Sequence, residues 1–195
     1  MQGRIVVARG KEAFSFIYRE HIDILCAMGE VTYVDPTADT SLPDDTSLLY
    51  LPGGYPENVA KALSEAGSML SSVRHYACHG GRVLAECGGM MYLCKSIITD
   101  DGQYPMCGVL PYDITARTAD RYLSLGYRQM TIRGQHLRGH EFHYSQFVEA
   151  PESDITIRDA RGRVVSSPMI VQGNIIASYT HLYWGEARIS EFFWG

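Results

Sequence analysis

The sequence predicts an α/β domain: a mostly parallel central sheet flanked by helices, with antiparallel additions in its second half. Three observations carry that expectation. Short β-branched runs alternate with helix-length segments through the first 95 residues. Two of those runs end abruptly in paired glycines, Gly53-Gly54 and Gly88-Gly89. Beyond residue 125, strand-like runs follow one another with only polar or glycine-containing turns between them.

Taken in order, Arg4–Ala8 is a β-branched run, and residues 14–28 place Phe14, Ile17, Ile24, Leu25 and Met28 at helical spacing before Gly29 ends the segment. Val31–Val34 and residues 48–51 read as the second and third strands. A helical region over 58–77 is interrupted at Gly67, residues 82–85 form a fourth strand, and a helix covers 90–95. The second half adds strands at 127–132, 141–144, 155–157, 169–171 and 175–179, then a helix over 185–193. Parallel neighbours joined through helices follow from the β-α-β-α order.

A chain of 195 residues with 46% hydrophobic and 20% charged residues has ordinary globular composition and suits one domain over 1–195. No apolar run approaches the roughly 20 residues needed to cross a bilayer, and no signal peptide opens the chain, so a cytoplasmic protein without membrane contact is expected. A net charge of −5 and the lack of a Lys/Arg block argue against nucleic acid as a partner. The five cysteines, Cys26, Cys78, Cys87, Cys94 and Cys107, include no CxxC pair and match neither a disulfide framework nor a zinc site. His136, His140 and His143 lie close together without a cysteine or acidic cluster beside them, so no metal is expected.

One cysteine stands where a nucleophile would. In Ala85-Glu86-Cys87-Gly88-Gly89-Met90 an apolar strand gives way through one cysteine and two glycines to a helix. A tight turn of this kind lifts a side chain above the carboxyl ends of the strands. The helix N-terminus beneath would lower the thiol pKa, and the Gly88 N–H would face an oxyanion formed by attack of Cys87. A buried cysteine at an ordinary strand-to-helix turn would show the same local pattern. A cysteine nucleophile needs a base, and His181, directly after the strand at 175–179, is the best placed histidine. Leu51-Pro52-Gly53-Gly54-Tyr55-Pro56-Glu57 ends a second strand in paired glycines, whose N–H groups could complete an oxyanion hole; a plain tight turn is the alternative.

With these segments in hand, the chain resembles the class I, or triad-type, glutamine amidotransferases, with a flavodoxin-like fold. Its likeness is greatest to the branch typified by the C-terminal domain of cobyrinate a,c-diamide synthase. The residues that carry it are Leu51–Glu57, Ala85–Gly89, the Gly-His-Glu-Phe-His-Tyr-Ser run of 139–145 and Ser178–Trp184, in that order along nearly the whole chain. The resemblance implies that Cys87 is the nucleophile, His181 the base and acid, Gly53 or Gly54 with Gly88 the oxyanion donors, and His143, Tyr144 and Ser145 a strand bordering the glutamine pocket. It implies no cofactor in this domain. Glutamine would be the substrate, and ammonia would pass to an ATP- and Mg-dependent synthetase partner that amidates a corrinoid.

Two departures accompany the likeness. Tyr183 stands where most triad enzymes carry Glu to orient the histidine, and Glu86 is a carboxylate that could bond nearby backbone or the base. No GxxxxGK[ST] phosphate loop is present, so the synthetase module is expected on another chain or in a part from which this domain was excised. Competing expectations are a cysteine hydrolase of the same fold acting on another substrate, an idle docking or regulatory domain, or a related branch such as cobyric acid synthase. The aromatic end Phe192-Phe193-Trp194 would suit a homodimer or domain interface, or simple core packing.

Overall fold

The computed structural model describes residues 3–185. Its strands are β1 (Arg4–Ala8), β2 (Val31–Val34), β3 (Thr46–Leu51), β4 (Val83–Glu86), β5 (Ser96–Thr99), β6 (Gly102–Pro105), β7 (Asp113–Thr115), β8 (Ser124–Ile132), β9 (Gln135–His143), β10 (Gln146–Phe147), β11 (Arg158–Asp159), β12 (Met169–Gln172), β13 (Ile175–Ser178) and β14 (His181–Tyr183). The α-helices are α1 (Arg19–Met28), α2 (Ala60–Glu65), α3 (Gly67–Cys78) and α4 (Gly88–Leu93).

The central sheet runs β12-β13-β4-β3-β1-β2. The five strands from β13 to β2 are parallel, and only β12 pairs antiparallel, with β13. Apolar runs that are buried on both faces suit such a sheet. Strand alternation sorts them into two cores: Val6, Ala8, Leu49, Leu51, Val83 and Ala85 meet Met69, Leu70, Val73 and Tyr92, while Ile5, Val7, Leu48, Tyr50 and Leu84 meet Leu25, Met130, Ile132 and Leu182. A second sheet, β10-β7-β5-β6, packs beyond α4, and a third, β11-β8-β9-β14, covers the other face.

The mostly parallel core with antiparallel additions follows the expected class, and the break at Gly67 separates α2 from α3. Several elements differ. Helix α1 begins at Arg19, not at residue 14. Residues 9–18 are a loop instead, because the Phe16 N–H bonds the Gly53 carbonyl at 2.9 Å and the Tyr55 N–H bonds the Glu12 carbonyl at 2.9 Å. The strand expected at 155–157 lies at Arg158–Asp159, where it pairs with β8. The sheet of β5, β6 and β7 and the short β14 had no counterpart in the sequence reading. The helix expected over 185–193, beyond Gly185, and the aromatic cluster at 192–194 lie outside the described residues. No helix among the described residues is long and apolar enough to cross a membrane.

His21 ties this architecture to pH. Its ring is buried, stacked on Trp184 at 3.9 Å and 4°. Among the described residues neither ring nitrogen has a hydrogen-bond partner, and burial lowers its pKa to about 4. The unfolded chain accepts a proton near pH 6.5 that the folded chain resists, so this stability is complete above pH 6.5 and lost as pH falls toward 4. The full effect is about 3 kcal/mol. Glu86, raised by burial to about 7, works in the opposite sense: it favours the folded state as pH falls from 7 toward its ordinary value. His21→Phe keeps the stack and removes the titration. Its thermal midpoint is expected to exceed the wild type's by several degrees at pH 5 and to match it closely at pH 8. Equal acid slopes in the two proteins would show that His21 is not held neutral.

Candidate active site

Strand β4 ends at Glu86, and the next residue, Cys87, has φ 47 and ψ −110. Among the described residues only Arg133 shares a positive φ without being glycine. A side chain is rarely placed in that region, and when it is, the surrounding structure must hold it there. The Cys87 N–H donates to the Ser178 carbonyl at 2.7 Å, and the Cys87 carbonyl accepts from the Met91 N–H at 3.0 Å to start α4. Both following glycines are required by close approach. A Cβ on Gly88 would lie 2.6 Å from the Gly54 oxygen and 2.7 Å from Pro56 Cδ, and one on Gly89 would run into the Leu51 backbone.

His181 opens β14 and pairs with His140 of β9. Cross-strand partners share a sheet face, so their rings stack, with centroids 4.9 Å apart and 15° from parallel. Phe16 meets the His181 ring edge-on at 4.6 Å, and Gly53 lies against the same ring, where any Cβ would collide. The Tyr18 hydroxyl lies 3.2 Å from His140 Nδ1. Cys87, His181, Gly54, Phe16, Tyr55, Leu125, His140 and Phe142 line one pocket of about 360 Å³.

The electrostatics correct one expectation. Cys87 is 5% exposed, and its thiol pKa is not lowered: burial pushes it up to about 12, and the charge on Glu57 adds to that. Hydrogen bonds from the Gly88 and Gly54 N–H groups to the sulfur oppose the shift without cancelling it. Burial, followed by the neighbouring His140 and His143, lowers the His181 pKa to about 3. At rest both groups, which line the same pocket, are therefore uncharged: a neutral thiol and a neutral imidazole.

The strand expected to border the pocket runs beside it, through other residues than His143, Tyr144 and Ser145. Along β9, successive side chains alternate, so His140 and Phe142 face the pocket while Glu141 and His143 turn inward. His143 stacks on Tyr179 at 3.7 Å, Ser145 Oγ lies 3.1 Å from the Tyr179 hydroxyl, and Tyr144 is exposed. Phe16, Tyr55, Leu125, His140 and Phe142 escaped the sequence reading; the alternation within 139–143 was the signal for the last two.

Behind the pocket, Glu141 is fully buried. Arg128 lies 3.0 Å from its carboxylate, which accepts hydrogen bonds from Ser124 at 3.0 Å and Thr180 at 2.9 Å. Burial opposes its ionisation, yet the surrounding donors, His143 first, and the Arg128 charge hold the carboxyl down to about 2. No group of three or more His, Cys, Asp or Glu side chains among the described residues is arranged to hold a metal.

Comparison with known proteins places the chain in a family. The family model for the CobB/CobQ-like glutamine amidotransferase domain aligns with residues 4–189. A cobyrinate a,c-diamide synthase from Synechocystis sp. is 36% identical over 198 residues, covering 94% of this chain and 40% of that protein. A hydrogenobyrinate a,c-diamide synthase from Streptomyces coelicolor is 38% identical over 193 residues, covering 94% and 38%. The chain thus spans about two fifths of the length of these curated relatives. Among solved structures, PurLQS from Thermotoga maritima has a TM-score of 0.60 at 17% identity, covering 93% of this chain and 88% of that one. A glutamine amidotransferase crystal structure has 0.59 at 22%, covering 91% and 89%. At such identities these structures speak for the fold. The chain belongs to the CobB/CobQ-like glutamine amidotransferase domain family.

Proposed function

We propose that this domain hydrolyses the side-chain amide of glutamine through Cys87 and His181, and that the ammonia serves an ATP-dependent amidation of corrinoid carboxylates in cobalamin biosynthesis. The observation that carries the reading is Cys87 held at a left-handed turn, opening into the same pocket as His181 and facing the N–H groups of Gly54 and Gly88.

The chemistry follows from the resting charges. His181 takes the thiol proton as Cys87 Sγ attacks the amide carbon, and the thiolate and imidazolium then attract by an amount of order 4 kcal/mol for charges in contact. That attraction offsets only part of the cost of the transfer, which is made as the sulfur bonds to the amide carbon. The oxyanion accepts hydrogen bonds from the Gly88 N–H and from Gly54 or Gly53. The imidazolium returns its proton to the departing nitrogen, releasing ammonia and leaving a glutamyl thioester on Cys87. Water, deprotonated by His181, then frees glutamate.

This half reaction draws on side chains and backbone alone. ATP and Mg²⁺ would act in the synthetase portion, for which the length of the curated relatives leaves room. The exposed Phe16, Tyr55, Leu125 and Phe142 that rim the pocket suit closure by such a partner.

Labelling tests the reading. Diazo-oxo-norleucine, a glutamine-directed electrophile, is expected to modify Cys87, located by mass spectrometry. Iodoacetamide at pH 7.5 without glutamine is expected to reach the exposed Cys26 and Cys78 first, since the Cys87 thiol is buried and protonated. An adduct at Cys94 or Cys78, with Cys87 untouched by the glutamine analogue, overturns the assignment.

A further inference from the structure

Among the described residues, His181 Nδ1 has no hydrogen-bond partner. The base is nevertheless fixed, through its chain neighbours. Glu86, 2% exposed, directly precedes the nucleophile in the chain, and its side chain crosses to the base: Oε1 accepts the Leu182 N–H at 3.0 Å. Oε2 accepts the Tyr50 hydroxyl at 2.7 Å and the Trp184 indole N–H is a further donor to the carboxyl, so it is stopped from rotating away. The residue before the base is held as well, Thr180 Oγ1 donating to Glu141 at 2.9 Å.

We propose that Glu86 is a positioning residue, a brace whose backbone carries Cys87 and whose carboxyl oxygen holds the backbone beside His181, so that it sets the separation of nucleophile and base. This inference rests on the Cys87–His181 reading. A side-chain hydrogen bond to the imidazole would tune its basicity; a brace through the backbone fixes only its place. The required chemistry is one acceptor oxygen toward the Leu182 N–H and a polar hydrogen-bonding partner for the Tyr50 hydroxyl, and no negative charge is needed. Glutamine can supply it, since its amide oxygen can accept the Leu182 N–H and its amide nitrogen can donate to the Tyr50 hydroxyl.

The test is the kinetics of glutamine hydrolysis by the full-length protein. Glu86→Gln is expected to keep kcat within about threefold of the wild type. Glu86→Leu, which fills the space without an acceptor, is expected to lower kcat about 100-fold or more in the folded protein with KM within threefold, since misplacing a reacting group by about 1 Å costs that much. Should Glu86→Leu fail to fold, Glu86→Met, a flexible side chain of similar length without the carboxyl, decides: a fall in kcat of fivefold or more at unchanged KM supports the brace, and a wild-type kcat overturns it. A folded Glu86→Leu protein with wild-type kcat overturns it too, as does Glu86→Gln as inactive as Glu86→Leu. His181→Gln run alongside separates the readings. If it is inactive while Glu86→Leu is normal, only the brace fails; if it is active, the dyad fails and the brace with it.

Discussion

Cys87→Ser and His181→Gln are each expected to lower glutamine turnover by at least about 1000-fold, and the double variant to be no slower than either alone. Serine keeps the size of the side chain but replaces the thiol by a hydroxyl that ionises far less readily. The pocket already pushes even the thiol up to about 12 by burial, so nothing there would help a hydroxyl ionise. His181→Gln keeps a polar side chain and removes the proton acceptor. The two residues act in one step, so their losses do not add. Glutamate release measured on protein with an unchanged thermal midpoint checks this. Turnover within tenfold of the wild type in either single variant would remove that residue from the chemistry.

The second large effect falls on a residue that makes no bond to substrate through a side chain. Gly53→Ala is expected to reduce kcat about 100-fold while lowering the thermal midpoint by only a few degrees. Gly53 does not have a positive φ, so alanine suits its backbone, but the added methyl would stand inside the space of the His181 ring, 2.9 Å from Nδ1 and 3.2 Å from Nε2. The ring is the far end of a side chain and gives way before the fold does. Gly54→Ala makes the informative contrast. There φ is +155 and a Cβ would meet the Ala13 and Glu12 carbonyls, so that substitution acts on the fold and should show mainly as a lower midpoint. Saturating-glutamine rates beside thermal melts separate the two cases. Gly53→Ala with a normal kcat would mean that the base does not work from the place where the ring now lies.

Much of this site was readable because its signals are local. The apolar runs of β1, β2, β3, β4 and β13, and the paired glycines after β3 and β4, are short-range features of the chain. Other features depended on distant partners. Loop residues 14–18 have helical spacing, yet Phe16 is drawn out to pair with Gly53, which is 37 positions away. The strands β5, β6 and β7 are three or four residues each and partly polar, too brief for alternation to register. His140 joined the site only because β9 and β14 pair in the register that sets it opposite His181, and a one-residue slip would have presented Glu141 or Gly139 instead.

By itself the sequence determined the fold class, and it singled out the cysteine turn after β4 and the histidine that follows β13, since each is written in spacing, glycine placement and residue type. Only the tertiary structure decided how those groups behave: that the thiol rests protonated, that the His181 imidazole is neutral, and that Glu86 reaches from beside Cys87 to the backbone next to His181. The physical reason is that desolvation and hydrogen bonding are sums over neighbours in space. Those neighbours, 96 positions apart between Glu86 and Leu182, are assembled by strand pairing rather than by the chain.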